Sequence, residues 1–318
     1  MQLKQNVQCP VCLSNALELR FLSSEYIIKA LERYYEEEIP DLQILDYHQY
    51  KCSNCTLEFF NPMVPGSERF YEFISHQPGY YPRGRWEWHE TLKRGIKTGD
   101  EKLLEIGCGN GDFLRTAKKY GLSSAFGIDT SASSIKVCEA RGLHAYCGNI
   151  ETYLEEHPAM QFYYDLVASY HCLEHVPDPL LFIQQAKALL KASGKIFLST
   201  PYSPMSFETN WYDPLNHPPH HLTRWNKRAY EELAAKTQMD IAFHSLGAPS
   251  VWSRTVTAFN IGQSGKFGSV SNKRTAMNIL RYPSSLWKEL KNQQGREKIA
   301  GKPAPDMILI ELTIGGNK

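Results

Sequence analysis

The chain has 318 residues, 42% of them hydrophobic, and a formal net charge of +1. That length buries a sizeable core and leaves room for one full domain with additions or for two domains. The near-neutral charge argues against a global pull toward nucleic acid or an anionic membrane. No stretch is long and apolar enough to span a bilayer, and the first residues, MQLKQNVQCP, lack the apolar run of a signal peptide, so a cytoplasmic location is expected.

Four of the eight cysteines fall into two C-x-x-C pairs, Cys9/Cys12 and Cys52/Cys55. Two such knuckles present four thiolates to one tetrahedral zinc ion, and closed sites of that kind are structural. A redox dithiol or buried free thiols are the alternatives. Leu13 and Thr56 stand where a glycine often follows the second cysteine. Between the pairs the pattern predicts a helix around Glu25 to Glu38 and a strand around Gln43 to Lys51. Up to Phe60 the bases are Lys4, Arg20, Lys29, Arg33 and Lys51, against nine acids. Phosphate binding needs clustered cations, so this acidic module, residues 1–60, argues against nucleic acid as a partner.

Residues 61–95 form a connector with Phe70, Tyr71, Phe73, Tyr80, Tyr81, Trp86 and Trp88. It either packs the module onto the main domain or, through Tyr80, Tyr81 or Trp86, walls a substrate pocket. Trp88 to Lys97 reads as a helix entering the main domain, residues 96–318.

Leu103 to Phe113 then reads as a buried strand, a glycine turn (Gly107, Gly109, Gly111) and the start of a helix from Asp112 to Tyr120, which together cradle a nucleotide. A second strand, Ser124 to Ile128, ends in Asp129, spaced as in a nucleotide fold whose carboxylate takes ribose hydroxyls. A helix follows over Ser131 to Arg141, then a strand over Leu143 to Cys147 leading into Gly148-Asn149-Ile150-Glu151. Phe162 to Ser169, Pro179 to Leu190 and Lys195 to Ser199 continue as strand, helix and strand. The alternation predicts an α/β fold: a Rossmann-like, seven-stranded, mostly parallel sheet with helices on both faces, plus the zinc module.

The fourth strand delivers Ser169-Tyr170-His171-Cys172-Leu173-Glu174-His175-Val176-Pro177-Asp178-Pro179 to the carboxyl edge, where ligands bind in such sheets. Residues 200–225 form a long loop carrying Asp213, Asn216, His217, His220 and His221, and long loops inside compact domains are usually functional. A histidine there suits a general base near neutral pH. A second metal site on His217, His220 and His221 is the less favoured reading, and at least one of the three is expected to be structural. A helix over Asn226 to Thr237 and a strand over Ile241 to Ser245 follow. The insertion at 247–305 is poorly patterned, with Trp252 to Phe259 read as extending a strand and amphipathic helix within Arg274 to Asn292. Met307 to Ile314 is the closing strand, expected beside the strand at Ile241 to Ser245.

Glu105, Gly107, Gly109 and Gly111, with Asp129 and the Ser169 to Pro179 block, resemble the class I S-adenosylmethionine-dependent methyltransferases. With the cysteine pairs, the arrangement is similar to zinc-containing methyltransferases of natural-product, sugar and polysaccharide pathways. The resemblance implies S-adenosylmethionine as cofactor. It implies that Gly107, Cys108, Gly109 and Gly111 let the backbone approach it, that Asp129 and Thr130 face its ribose and that Asn149 and Ile150 meet the adenine. Glu105 supports the amino end, and Ser169 and Tyr170 border the sulfonium. Tyr170, His171, His175, His220 and His221 are the catalytic candidates, acting on a small-molecule acceptor at oxygen or carbon. An RNA methyltransferase with a zinc module and a non-catalytic cofactor-binding subunit are the alternatives. Oligomeric state is not legible in the sequence.

Overall fold

The computed structural model describes residues 7–39, 43–77, 80, 84–208, 213–264, 272–300 and 303–315. Tyr81, a candidate pocket residue, lies outside them. The amino-terminal part comprises β1 (Ala16–Leu22), α1 (Ser24–Tyr35), β2 (Tyr47–Cys52) and β3 (Glu58–Asn61). The expected helix and strand between the cysteine pairs are present, and β1 precedes them. The connector carries α2 (Glu68–Ser75) and α3 (Trp86–Gly95). Ser23 and Ser67 cap α1 and α2, each accepting a backbone N–H of the first turn.

The main sheet is built from β4 (Leu103–Ile106), β5 (Ala125–Asp129), β6 (His144–Cys147), β7 (Tyr164–Tyr170) and β8 (Leu190–Pro201). The intervening helices are α4 (Asp112–Lys119), α5 (Ala132–Ala140), α6 (Ile150–Glu156) and α7 (Pro179–Ala188). A two-residue strand, β9 (Thr223–Arg224), precedes α8 (Lys227–Thr237), β10 (Met239–His244), α9 (Val251–Ser264), α10 (Asn272–Arg281), α11 (Pro283–Ala300) and β11 (Met307–Ile314).

Seven strands run in the order β10-β11-β8-β7-β4-β5-β6. All neighbours are parallel except β11, which is antiparallel to both β8 and β10. The period-two alternation of side chains divides the core. Leu103, Leu166, Ala168 and Tyr170 face the layer of Trp88, Leu92, Phe113 and Leu114. Leu104, Ile106 and Val167 face Ile150, Tyr153, Phe182, Ile183, Tyr230 and Leu233. Helices therefore cover both faces. The chain steps outward from β4 through β5 to β6, then returns to β7 on the other side of β4. That reversal makes the crevice between β4 and β7 the topological switch point, where such sheets bind ligands.

A second, four-stranded sheet has the order β1-β2-β3-β9. Its last strand is the end of the long loop after β8, so the cysteine module and the main domain share a sheet. Asn226 ties the joint: its amide donates to the Thr56 carbonyl at 3.0 Å while its Oδ1 caps α8.

One expectation is corrected. Trp252 to Phe259, read as strand, lie in α9, where Arg254, Thr255, Ala258, Phe259 and Ile261 are buried at helical spacing. The amphipathic stretch after Arg274 is two helices, divided where Pro283 starts α11 and cannot donate to the turn before it. No helix among the described residues is long and apolar enough to cross a membrane.

Candidate active site

The glycine turn leaves β4 at the switch point. Gly107, Gly109 and Gly111 have φ of 76°, 48° and 75°. A Cβ on Gly107 would come within 3.1 Å of Cys172 Sγ, and one on Gly111 within 2.5 Å of Leu143 Cδ1, so any side chain at either position would add crowding to the strain of the left-handed backbone. Asp129, at the end of β5, braces the turn from the neighbouring strand. Its Oδ2 accepts the Gly109 N–H at 2.7 Å and its Oδ1 accepts the Ser131 N–H at 2.8 Å. A carboxylate has about four acceptor sites, so each oxygen keeps one for a ligand. Burial pushes the Asp129 carboxyl up, and the two N–H donors resist that shift. Cys108 is buried beneath the turn against Gly127, with Cys138 Sγ donating to the Gly109 carbonyl at 3.3 Å.

At the end of β6, Asn149 caps α6 in a reciprocal box with Thr152, its Oδ1 accepting the Thr152 N–H at 2.9 Å. Thr130 is exposed and Ile150 is buried.

Opposite the turn, Tyr170 closes β7 with its ring edge-on to Phe113 at 4.8 Å. His171 follows at φ 52°, its N–H donating to the Ser199 carbonyl of β8. That left-handed conformation turns the imidazole between two buried carboxylates: Nε2 lies 3.6 Å from Glu87 and Nδ1 lies 3.4 Å from Glu174. Burial presses the Glu87 carboxyl upward, but His171, its own backbone and Arg85 together hold it below the usual carboxylate range. Neither Glu87, on α3, nor Glu174 stands out in the sequence, because nothing local marks a glutamate as 1–2% exposed.

Glu105 Oε2, Ser169 Oγ, Ser199 Oγ, Trp88 Nε1 and both oxygens of Glu174 are buried without a hydrogen-bond partner. Buried polar atoms are nearly always paired, so this set around the ends of β4, β7 and β8 and the neighbouring α3 is a candidate lining for a ligand. Burial, reinforced by the Asp129 charge, pushes the Glu105 carboxyl well above its usual value, which a cationic ligand group beside it would reverse.

The four candidate histidines beyond His171 separate into two environments. His217 Nδ1–H donates to the Asp213 carbonyl, and its Nε2 accepts from Arg20 at 2.6 Å and Arg224 at 3.0 Å. Burial and both arginines hold it neutral, well below its usual pKa, and it is a structural joint between β1 and β9. His175, His220 and His221 instead form one cluster with ring centroids 4.3 to 4.8 Å apart, beside Glu174. Tyr71 and Tyr80 of the connector pack on His220, with centroids 5.8 Å away in each case.

Across the module, Cys9, Cys12, Cys52 and Cys55 are all buried and unbridged. Their sulfurs lie 3.6 Å (Cys9–Cys55), 3.3 Å (Cys12–Cys52) and 3.7 Å (Cys12–Cys55) apart. Four thiolates at about 2.3 Å around a tetrahedral zinc would stand about 3.8 Å apart, so the set fits that ion. Backbone N–H groups of Val11, Asn54 and Cys55 point at the sulfurs. Leu13 and Thr56 both adopt φ 61°, so each knuckle makes its left-handed turn without glycine.

A doubly wound sheet of this order, with a braced glycine turn and an acid after the second strand, defines a nucleotide-cofactor enzyme fold of the class I methyltransferase type. The model of the methyltransferase domain family matches residues 81–242, and the chain belongs to that family. Curated relatives include the ubiquinone biosynthesis O-methyltransferases of Vibrio campbellii, 36% identical over 113 residues, and Idiomarina loihiensis, 34% identical over 106 residues. These alignments cover 35% and 31% of this chain and 48% and 42% of the relatives, so the chain spans about half the length of the curated relatives it matches. Among solved structures, an S-adenosylmethionine-dependent methyltransferase from Archaeoglobus fulgidus has 18% identity and a TM-score of 0.48 over 76% of this chain and 97% of that one. Haemonchus contortus phosphoethanolamine N-methyltransferase 2, solved with S-adenosyl-L-methionine, has 20% identity and a TM-score of 0.47 over 77% and 56%.

Proposed function

We propose that the chain transfers a methyl group from S-adenosylmethionine to a small-molecule acceptor at oxygen or carbon. The observation that carries this reading is the set of unpartnered buried polar atoms that includes Glu105 of β4 and Ser169 of β7, on the two strands of the switch point, together with a glycine turn that Asp129 braces. The relatives' role in ubiquinone biosynthesis supports a small acceptor and oxygen as the atom methylated.

When bound, the cofactor supplies an electrophilic methyl group. In this reading Asp129 takes the ribose hydroxyls with the acceptor sites the turn leaves free, and the Asn149 amide donates toward the adenine edge beside Ile150 and Thr130. Gly107, Cys108, Gly109 and Gly111 let the backbone lie against the ligand, and the Glu105 carboxylate pairs with its amino end. Ser169 and Tyr170 border the reacting centre. His171 is the general base. Glu174, 3.4 Å from Nδ1, and Glu87, 3.6 Å from Nε2, stabilise the cation that forms when His171 takes the acceptor's proton. His175, His220 and His221 stand behind this pair as the wall that excludes water, with the aromatic connector as its outer side. Positioning contributes more than proton removal: alignment can supply about 7–11 kcal/mol, whereas a general base contributes about 10²–10⁴-fold.

Residues 1–60 act as a zinc-stapled brace for the acceptor loop, through four cysteine thiolates. The module's acidity argues against RNA as the acceptor. Equilibrium binding of S-adenosylhomocysteine tests the reading. Saturable, stoichiometric binding that competes with S-adenosylmethionine supports it, and no binding to the folded protein overturns it.

A further inference from the structure

In the triad His175, His220 and His221, two ring protons are assigned by their hydrogen-bond partners, a backbone carbonyl and a side-chain amide oxygen. His175 Nδ1–H donates to the His220 carbonyl at 2.5 Å, since a carbonyl can only accept. Asn216 must turn its amide nitrogen to Glu208, to which it donates at 2.6 Å, and this aims its Oδ1 at His221 Nδ1, 2.8 Å away. His221 therefore also carries its proton on Nδ1. Both imidazoles are left with an Nε2 lone pair. This is the arrangement by which proteins fix metal-binding histidines, one ring nitrogen bonded to a carbonyl or amide oxygen and the other presented to the ion.

His220 completes the set. It is 6% exposed, and its Nδ1 is buried without a partner. One ligand atom from each of the three residues lies within 4.8 Å of the others. Some point is then within about 2.8 Å of all three, and shifts of about 0.7 Å per ring bring them to the 2.0–2.1 Å of a zinc–imidazole bond. The Glu174 carboxylate, 1% exposed and 3.9 Å from His221 Nε2, places a negative charge beside the cluster with neither oxygen hydrogen-bonded.

We infer that His175, His220 and His221 form a second metal site, a three-histidine site for a zinc-like divalent cation in the wall of the acceptor pocket, separate from the four-cysteine site. Three neutral nitrogen ligands leave the fourth position of a tetrahedral ion to water or another oxygen donor, the composition of sites that are not closed. Grouping His217 with His220 and His221, the less favoured set weighed from the sequence, fails because His217 is committed to two arginines.

The test is metal analysis of the full chain after dialysis against micromolar zinc, with X-ray absorption at the zinc edge. Two zinc per chain are expected, with a mean shell of about half sulfur and half nitrogen or oxygen. His221→Gln is expected to retain one zinc, with a shell of sulfur alone. Wild-type protein holding one zinc bound by sulfur alone overturns the second site and leaves the cysteine reading standing. One zinc bound by nitrogen overturns the cysteine reading instead and supports this one. Protein without zinc overturns both. Cobalt substitution of the wild type gives the same answer without a variant: thiolate charge-transfer bands at one equivalent that stop growing at the second, while the visible d–d bands continue, support two sites.

Discussion

Replacing Asp129 separates a cofactor contact from a loss of fold. In Asp129→Asn one oxygen remains to accept either Gly109 N–H or Ser131 N–H, now 2.7 and 2.8 Å from the carboxylate, and the new amide faces the other donor. A hydrogen bond to a charged group contributes about 1.5–3 kcal/mol, and an orphaned buried donor costs about 1–3 kcal/mol. These two figures overlap in part, so the turn is weakened by about 2–4 kcal/mol. The ribose contacts lose their charge as well, for a further 1.5–3 kcal/mol or so. Much of the weakening of the turn lowers the stability of the free protein, while the loss at the ribose shows only in binding. By isothermal titration with S-adenosylhomocysteine, Kd should rise about 10- to 100-fold in Asp129→Asn and at least as much in Asp129→Ala. Thermal unfolding of the free protein should fall by only a few degrees. A folded Asp129→Ala variant with wild-type affinity would refute the reasoning. A variant that binds normally once stabilised would show that the carboxylate braces the turn and does nothing else.

Glu87→Gln should lower turnover about 10-fold and alter the pH profile of kcat, with cofactor affinity within twofold of wild type; loss in cofactor affinity alone would remove His171 and Glu87 from the reaction. His171→Ala should lower kcat by 10²-fold or more while S-adenosylhomocysteine Kd stays nearly constant. Cys52→Ser removes one of four thiolates and should release the module's zinc and lower the melting temperature, since metal affinity in such modules is folding energy; unchanged metal content and melting would refute the cysteine site. Asp213 tests the loop's electrostatics: burial raises its carboxyl from 3.8 to about 6. Because the folded pKa is raised, its stabilising contribution is complete below pH 3.8 and is lost as pH rises through 6. Asp213→Asn, which can still accept the Leu215 N–H, should therefore stabilise the protein above pH 6 by about 1–2 kcal/mol, the full shift being discounted for partial solvent contact. The gain should vanish as pH falls toward 4, and a gain that is constant with pH would contradict this assignment.

The parts of this molecule that are legible in the sequence are those with local causes. Gly107, Gly109 and Gly111 between an apolar strand and a helix, and Asp178-Pro179 opening α7, carry their geometry in a few adjacent residues. The cysteine knuckles are legible for the same reason, although the left-handed backbone at Leu13 and Thr56 is not, since neither residue type favours it. What the sequence hides is non-local. Glu87 and Glu174 meet at His171 because α3 is laid over the end of β7, and their burial has no marker along the chain. Strand β9 is two residues long and exists only through pairing with β3, more than 160 residues away. The histidine set is regrouped in space, with His175 brought in from β7's loop and His217 drawn off to Arg20 and Arg224. In the α9 to α11 helices large apolar side chains also stay exposed, as at Trp252, Leu280, Trp287 and Ile299, which blurs the burial pattern along the chain.

A crystal structure of the chain with S-adenosylhomocysteine tests the central claim most directly. The ribose hydroxyls are expected on Asp129, the ligand backbone against Gly107 to Gly109, the amino end on Glu105, and the sulfur facing the pocket between Tyr170 and His171. A ligand bound elsewhere, or seated in the crevice with Glu105, Ser169 and Ser199 still unpartnered, would contradict that claim.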